Sequence, residues 1–320
     1  MDVVGIGNIV IDFLINIAFL PGENQRTDIL DCYWQGGGMA ATALAALSRL
    51  GADTGMLGAV GGDRYGEFCL SDLEFFGVDT SHVLRDPAGT TAFSAVLSDN
   101  RTHGRNILHK APRTESLELN EDNREYIAAA KYLHLCDTRP VSYAAARFAK
   151  SRGVRVVIDA DRFDPCNLDL LPYIDAFIAC EECYFRLFPD GGDFETNFRN
   201  IQAQGPEIVA ATLGKKGVRV LASGGYFELP ALPVTVRDTT GAGDVFHGAF
   251  IYGLLQDWDP LKTAEFAGAA AALKCTRIGG RAGIADLETT MRLMETGIVD
   301  EESMNRFSQA YISHTKRFFG

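Results

Sequence analysis

The sequence predicts an α/β fold: a three-layer sandwich with a mostly parallel central sheet, helices on both faces, and a small second β-sheet that can cover a site. Two observations carry this expectation. Short apolar runs alternate with helical segments along the chain, the pattern of parallel strands joined by crossover helices. Two stretches, residues 9–35 and 89–110, break that rhythm, being β-branched, turn-rich and poor in helix signal. The 320 residues, 47% apolar and 22% charged, suffice for a large core. Repeats, low-complexity tracts and linkers are absent from the sequence, so one domain over 1–320 is expected, with a lid from about 10–35 and 89–110.

In chain order, residues 3–6 and 9–17 read as strands, followed by a turn at Pro21 and Gly22. Residues 39–50, rich in Ala and Leu and stopped by Gly51, read as a buried helix. A strand over 55–60 and a helix over 65–76, stopped by Gly77, come next. Residues 90–97 and 105–108 flank a turn at 99–104 and form the lid's second part. Further strands fall at 132–135, 154–159, 176–179, 208–212 and 218–222, with helices between several of them. Residues 232–236 are strand-like and lead into an apolar helix, and the charged tail from Gly297 reads as a packing helix.

A formal net charge of −12 argues against a non-specific nucleic-acid binder or a binder of anionic membranes, since both surfaces repel it. No apolar run approaches transmembrane length, and a start containing Asp2 lacks the basic opening of a signal peptide. Seven scattered cysteines, an odd count, fit reduced thiols better than a disulfide framework. A cytoplasmic protein is expected.

The most informative stretch is Asp238-Thr239-Thr240-Gly241-Ala242-Gly243-Asp244, which opens the apolar helix. Small residues at a helix start leave N–H donors bare, a ready site for an anion. Capping accounts for one carboxylate but not for Gly-Ala-Gly followed by a second Asp. An acidic group beside an anion nest suits a base that orients a hydroxyl toward a phosphoryl group.

This stretch resembles the second signature of the PfkB/ribokinase carbohydrate kinases. Gly36-Gly37-Gly38-Met39-Ala40-Ala41-Thr42 resembles the first signature, Val60-Gly61-Gly62-Asp63-Arg64-Tyr65-Gly66 the family's Gly-x-Asp-x-x-Gly turn, and Thr212-Leu213-Gly214-Lys215-Lys216-Gly217 its nucleotide loop. The four occur in the family's order across nearly the whole chain. The resemblance implies a ribokinase-like sandwich with a β lid, MgATP as donor, and a sugar hydroxyl as acceptor. By resemblance Asp244 is the catalytic base, and the backbone N–H groups of Gly241, Ala242 and Gly243 hold the transferring charge. Asp12, Gly37, Gly38 and Thr42 take the sugar. Thr212, Gly214, Lys215 and Gly217 take the nucleotide. Asp238 and Thr240, with the Gly279–Gly283 loop, take a monovalent cation such as K⁺, and pairing of lids implies a homodimer.

Two positions depart from the family pattern. Thr42 stands where many members carry a sugar-binding Asn. The family's Asn-x-x-Glu appears as Cys180-Glu181-Glu182-Cys183, which leaves Glu181 or water to organise Mg²⁺. The Cys-x-x-Cys spacing also suits zinc or redox chemistry, but no second ligand pair of suitable spacing accompanies it. The run from Ala271 to Ile284 further resembles the sulfofructose kinase branch. In that branch a Lys, an Asn and an Arg grip the substrate sulfonate; here Arg26 replaces the Lys, His109 falls at the Asn and Arg139 matches the Arg. The acceptor implied is a small ketose-like sugar, anionic as in 6-deoxy-6-sulfofructose, against a neutral sugar (ribose, fructose) or a nucleoside. Arg105 and Lys110 add to the lid's cationic set, which otherwise reads as solvated surface charge.

Three alternatives fare less well. A dinucleotide dehydrogenase would use Gly5-Ile6-Gly7, but the third glycine is out of register. A P-loop kinase lacks its motif. A sugar-binding regulator without catalysis leaves Asp244 beside Gly-Ala-Gly unexplained.

Overall fold

The computed structural model describes residues 1–319 apart from 103 and 162. In order, the chain forms β1 (Val3–Ile6), β2 (Val10–Ile17), β3 (Ile29–Gly37), α1 (Met39–Arg49), β4 (Thr54–Leu57), β5 (Ala59–Gly61), α2 (Arg64–Phe76), β6 (Leu84–Asp86), β7 (Ala92–Asp99) and β8 (Arg105–Lys110). Then follow α3 (Glu121–Ala128), β9 (Tyr132–Leu135), α4 (Pro140–Ser151), β10 (Arg155–Asp159), a 3₁₀ stretch (Pro165–Tyr173), β11 (Ala176–Cys180), α5 (Glu181–Leu187), α6 (Phe194–Gln202), β12 (Ile208–Thr212), β13 (Val218–Ala222) and β14 (Gly225–Leu229). The chain ends with α7 (Ala242–Leu255), α8 (Pro260–Cys275), α9 (Leu287–Thr296) and α10 (Glu301–Phe319).

Eight strands form the central sheet in the order β14-β13-β12-β11-β10-β9-β1-β4. Those from β12 to β4 run parallel, and β13 and β14 turn back antiparallel. β1 is covered on both faces, which is why it reads as an unbroken apolar run rather than an alternating one. One apolar cluster packs α1, α2, α7 and α8 on one face of the sheet; the other packs α3, α4, α5 and α6 on the opposite face. The strand order reverses at β1, between β4 and β9, and the strands' carboxyl ends there form the crevice where open α/β sheets bind ligands. Gly5 and Gly7 serve packing: a Cβ on Gly7 would lie 2.6 Å from the Cys136 Sγ and 2.7 Å from the Ala40 Cβ.

The lid is a separate four-stranded sheet in the order β3-β2-β7-β8, with β2 and β7 parallel. Its inner side rests on stacked aromatics. Trp34 lies 4.3 Å from Phe13 and 4.7 Å from Phe319, so the tail helix α10 packs beneath the lid as the sequence leads one to expect.

Two strand expectations change. Residues 55–60 divide into β4 and β5, because β5 leaves the central sheet to pair with β6. Residues 232–236 form no strand: Pro230 and Pro233 remove backbone donors, and the antiparallel partner of β13 is β14, just upstream. Among the described residues all seven cysteines are free thiols, and no helix is long and apolar enough to cross a membrane.

Candidate active site

The three glycines before α1 each face a different group. A Cβ on Gly36 would collide with the buried Arg281–Asp72 ion pair, on Gly37 with the Asp12 carboxylate, and on Gly38 with the Asn8 carbonyl. Asp12, on β2, is thereby held against bare backbone. Burial pushes its pKa up to about 6 against the opposing charge of Arg281, while a hydrogen bond from Ser94 favours its ionised form. Ser94 Oγ lies 3.2 Å from His109 Nδ1, so Asp12, Ser94 and His109 form one chain across the lid strands.

Thr42 is placed differently from the expectation. It is 1% exposed and its hydroxyl accepts from Arg281 Nε at 3.3 Å, so it supports the loop from below rather than opening toward a ligand. Sequence reading missed Arg281. Its guanidinium also donates to Gly37 O at 3.0 Å and pairs with Asp72, which accepts from Tyr311 of α10 at 2.7 Å. The signal available was an arginine inside a glycine-rich loop.

Asp244 lies in the first turn of α7. Burial, with the nearby Asp159 charge, raises its pKa to about 7, against the pull of His247 and Arg281. Beneath it His247 Nε2 lies 3.2 Å from Asp159 Oδ1, and the fully buried His134 ring is 5.9 Å from that of His247. Burial pushes His134 down to about 4, so it is neutral. The helix begins at Gly241, whose φ of 74° is left-handed and whose missing Cβ leaves room for Gly280 at 2.9 Å. No side chain caps this helix. Ala242 N–H bonds Thr239 O at 3.2 Å, and among the described residues Gly241 and Gly243 N–H keep no acceptor. The expected three-donor nest is therefore mainly a two-donor one. A carboxylate near neutrality beside free donors can accept a hydroxyl proton while the donors hold developing negative charge.

Asp159-Ala160-Asp161, at the carboxyl end of β10, is the second acidic feature that sequence reading passed over; its place at a parallel strand's end was the available signal. Asp161 reaches the Cys180 thiol and contributes to the field at Asp244. Cys180 and Cys183 form no metal pair. Cys180 Sγ caps α5 by accepting from Cys183 N at 3.3 Å, and Cys183 is core; burial pushes the thiols up to about 12 and about 11. Glu181 is half-exposed and accepts from Lys216 Nζ at 2.6 Å, which ties it to the Thr212–Gly217 loop.

That loop borders a cavity of about 470 Å³, lined by Thr212, Gly214, Lys215, Gly217, Thr239, Ala242 and Gly243, with apolar walls from Leu232, Val234, Val236, Ala264, Ala271 and Met294. The run over 232–236 thus walls the cavity although it is no strand. The loop residues and the start of α7 share one space, reached from the sequence by two separate motifs.

The cations are less gathered than expected. Arg139 stands at the N-cap position of α4 without capping it through its side chain, and its Nε donates to Asp137 at 2.8 Å, so its charge has a local partner. Arg26 is exposed in the β2–β3 turn, with no hydrogen bond among the described residues. Arg105 does reach inward: its Nη1 donates to Thr239 Oγ1 at 3.0 Å, bridging lid and α7 loop. Asp238 and Thr240 meet the Gly279 loop, but every Asp238 oxygen has a donor. Oδ1 takes Thr240 N and Oγ1, both at 2.8 Å, Oδ2 takes Gly279 N at 2.7 Å, and the main-chain O takes Lys274 Nζ at 2.8 Å.

Comparison with known proteins gives the family and the fold. A family profile described as "pfkB family carbohydrate kinase" matches residues 2–287. The ATP-dependent ribose-1-phosphate kinase of Halopiger xanaduensis is 32% identical over 287 residues, covering 87% of this chain and 93% of that protein. The 5-dehydro-2-deoxygluconokinase of Clostridium tetani is 29% identical over 302 residues, covering 85% and 86%. In structure, the Arabidopsis thaliana ribokinase complexed with ribose and ATP superposes with a TM-score of 0.81 at 24% identity, over 92% of this chain and 98% of that one.

Proposed function

The chain belongs to the pfkB family of carbohydrate kinases, and from that premise we propose that it transfers the γ-phosphoryl group of ATP to a primary hydroxyl of a small, ketose-like, anionic sugar. The observation that carries the transfer is Asp244, its pKa lifted to about 7, in the uncapped first turn of α7 and next in sequence to Gly243, which lines the cavity. ATP lies in that cavity with Lys215 near its phosphates. Asp12 accepts from the sugar's hydroxyls, and Gly37 and Gly38 let the sugar approach. Asp244 takes the acceptor hydroxyl's proton as its oxygen bonds the γ-phosphorus, and the bond to the ADP oxygen breaks with its electron pair leaving on ADP. Gly241 and Gly243 N–H hold the charge on the transferring group. Asp161 and Glu181 supply the oxygen donors that suit Mg²⁺, a metal usually held by phosphates, water and one or two carboxylates. Held there, Mg²⁺ would offset the negative charge of the phosphates.

An anionic acceptor is supported by the relatives' names: ribose 1-phosphate and 5-dehydro-2-deoxygluconate are both anions. The net charge of −12 repels such a substrate unless local cations offset it; Arg26 and Lys110 are exposed on the lid, whereas Arg139 is paired with Asp137. A sulfonated ketose such as 6-deoxy-6-sulfofructose, a sugar phosphate and a sugar acid share this chemistry. The Arg139–Asp137 pair favours the second reading, a neutral ketose or pentose. Measuring kcat/KM for fructose, 6-deoxy-6-sulfofructose, ribose 1-phosphate and 5-dehydro-2-deoxygluconate in wild type and Arg139→Ala separates them. The variant loses about 2 kcal/mol or more on the anion and little on fructose; equal losses mean that Arg139 serves α4 alone. Exposed Ile29, Leu30, Ile107 and Leu108 on the lid's edge strands support a homodimer through the lid, which sedimentation of Leu108→Lys tests.

A further inference from the structure

Lys274, in the last turn of α8, is 0% exposed, and no role given above uses it. Its Nζ donates at 2.8 Å to the main-chain oxygen of Asp238. Burial lowers its pKa, opposed chiefly by the Asp238 carboxylate and also by Cys275 and Asp244, while Arg105 adds to the lowering. We propose that Lys274 is a positioning residue, an internal counter-ion that stands where a monovalent cation was expected, so that the enzyme turns over without K⁺. This rests on the sugar-kinase reading.

The residues expected to take the cation do not fit one. Both Asp238 carboxylate oxygens accept from Thr240 or Gly279, and its carbonyl already faces an ammonium. A metal ion on that carbonyl would meet a like charge in a site shielded from solvent. The lysine is also anchored on both sides of the loop. Cys275 O accepts from Arg237 N at 2.8 Å and Asp238 N at 3.2 Å, and a Cβ on Gly283 would strike the Lys274 backbone. From Asp238 the connection to the transfer site is short. Asp238 holds Thr240 and Gly279, Thr240 precedes Gly241, and Gly280 packs against Gly241 at 2.9 Å from where a Cβ would stand. An ammonium fixed at Asp238 therefore orders the Gly241 and Gly243 donors and offsets a carboxylate that would otherwise repel the arriving phosphates.

The test begins with the wild-type enzyme and its best acceptor at constant ionic strength, with K⁺ exchanged for Na⁺ or tetramethylammonium. The expected kcat stays within about twofold; activation by K⁺ of about tenfold or more overturns the proposal. Lys274→Met keeps the stem and removes the charge. It should retain the wild-type circular dichroism and ADP binding and lose about tenfold or more in kcat with sugar KM little changed. A folded Lys274→Met with wild-type kcat overturns the proposal. Lys274→Ala leaves a space, and ammonium or K⁺ should restore its kcat where tetramethylammonium does not; a folded variant indifferent to all three also overturns it. If neither variant folds, the K⁺ response of the wild type decides. An enzyme that phosphorylates none of the sugars overturns the kinase reading instead, so the two failures are distinguishable.

Discussion

At the scale of single residues, the candidate site holds carboxylates whose burial raises their pKa values, Asp12 to about 6 and Asp244 to about 7. Burial and the Asp159 charge hold Asp244 at about 7, within reach of a hydroxyl proton at neutral pH. A raised carboxylate is protonated below that value and cannot act as a base, so kcat/KM should fall as pH drops through about 7. Asp159→Asn removes a like charge, which lowers the Asp244 pKa and moves this acidic limb to lower pH. An unmoved limb would show that Asp159 does not act on the base. Asp244→Asn keeps shape but accepts no proton, and kcat should fall by about two decades or more while ADP still binds. Near-normal turnover in that variant rules out Asp244 as the base. These residues were unequally legible. Asp244 stands in a recognisable run, whereas Asp159 and His247 become partners only when β10 and α7 pack together.

At the scale of elements, the nucleotide loop shows how a motif becomes a shape. Gly214 and Gly217 both have left-handed φ, at 55° and 89°, and Leu213 N–H closes the loop onto Gly217 O at 2.8 Å. A side chain on Gly217 would collide with the Leu229 carbonyl of β14. Gly217→Ala therefore meets both backbone strain and a rigid neighbour. It should lower stability by about 1–3 kcal/mol and raise the KM for ATP more than that for the sugar. Urea unfolding and steady-state kinetics check the two parts, and an unchanged KM for ATP would detach the loop from nucleotide binding. The loop was legible as spacing. Its wall was not, because residues 232–236 carry strand composition between prolines and β14 supplies the pairing instead.

Across the whole molecule, α10 ties the end of the chain to the Gly36–Gly38 loop of the candidate site. Tyr311 OH donates to Asp72, Asp72 pairs with Arg281, and Arg281 holds Gly37 and Thr42. Gly36 N–H donates to the same tyrosine oxygen at 3.2 Å. Tyr311→Phe leaves two buried polar groups short of a partner. It should cost about 1–3 kcal/mol, read as a lower urea midpoint. The KM for sugar should rise because the glycine loop relaxes, although Tyr311 contacts no proposed ligand. A fall in stability with sugar KM unchanged would confine this network to folding.

Local patterns in the chain set the alternation of strands and helices, the glycine loops, the uncapped start of α7 and the acidic balance, since each depends on neighbours a few residues apart. Contacts between residues far apart in sequence decided the rest. Thr42 sits in an Asn position yet faces Arg281, 239 residues later, and Lys274 reaches the carbonyl of Asp238 from another helix. Arg139 shares its charge with Asp137, two positions away, an orientation that residue spacing leaves open. A motif specifies which backbone is left bare, but the charges that face it depend on how α7, α8, α10 and the lid pack. Burial then decides whether a carboxylate acts as a base and whether a lysine serves as a counter-ion.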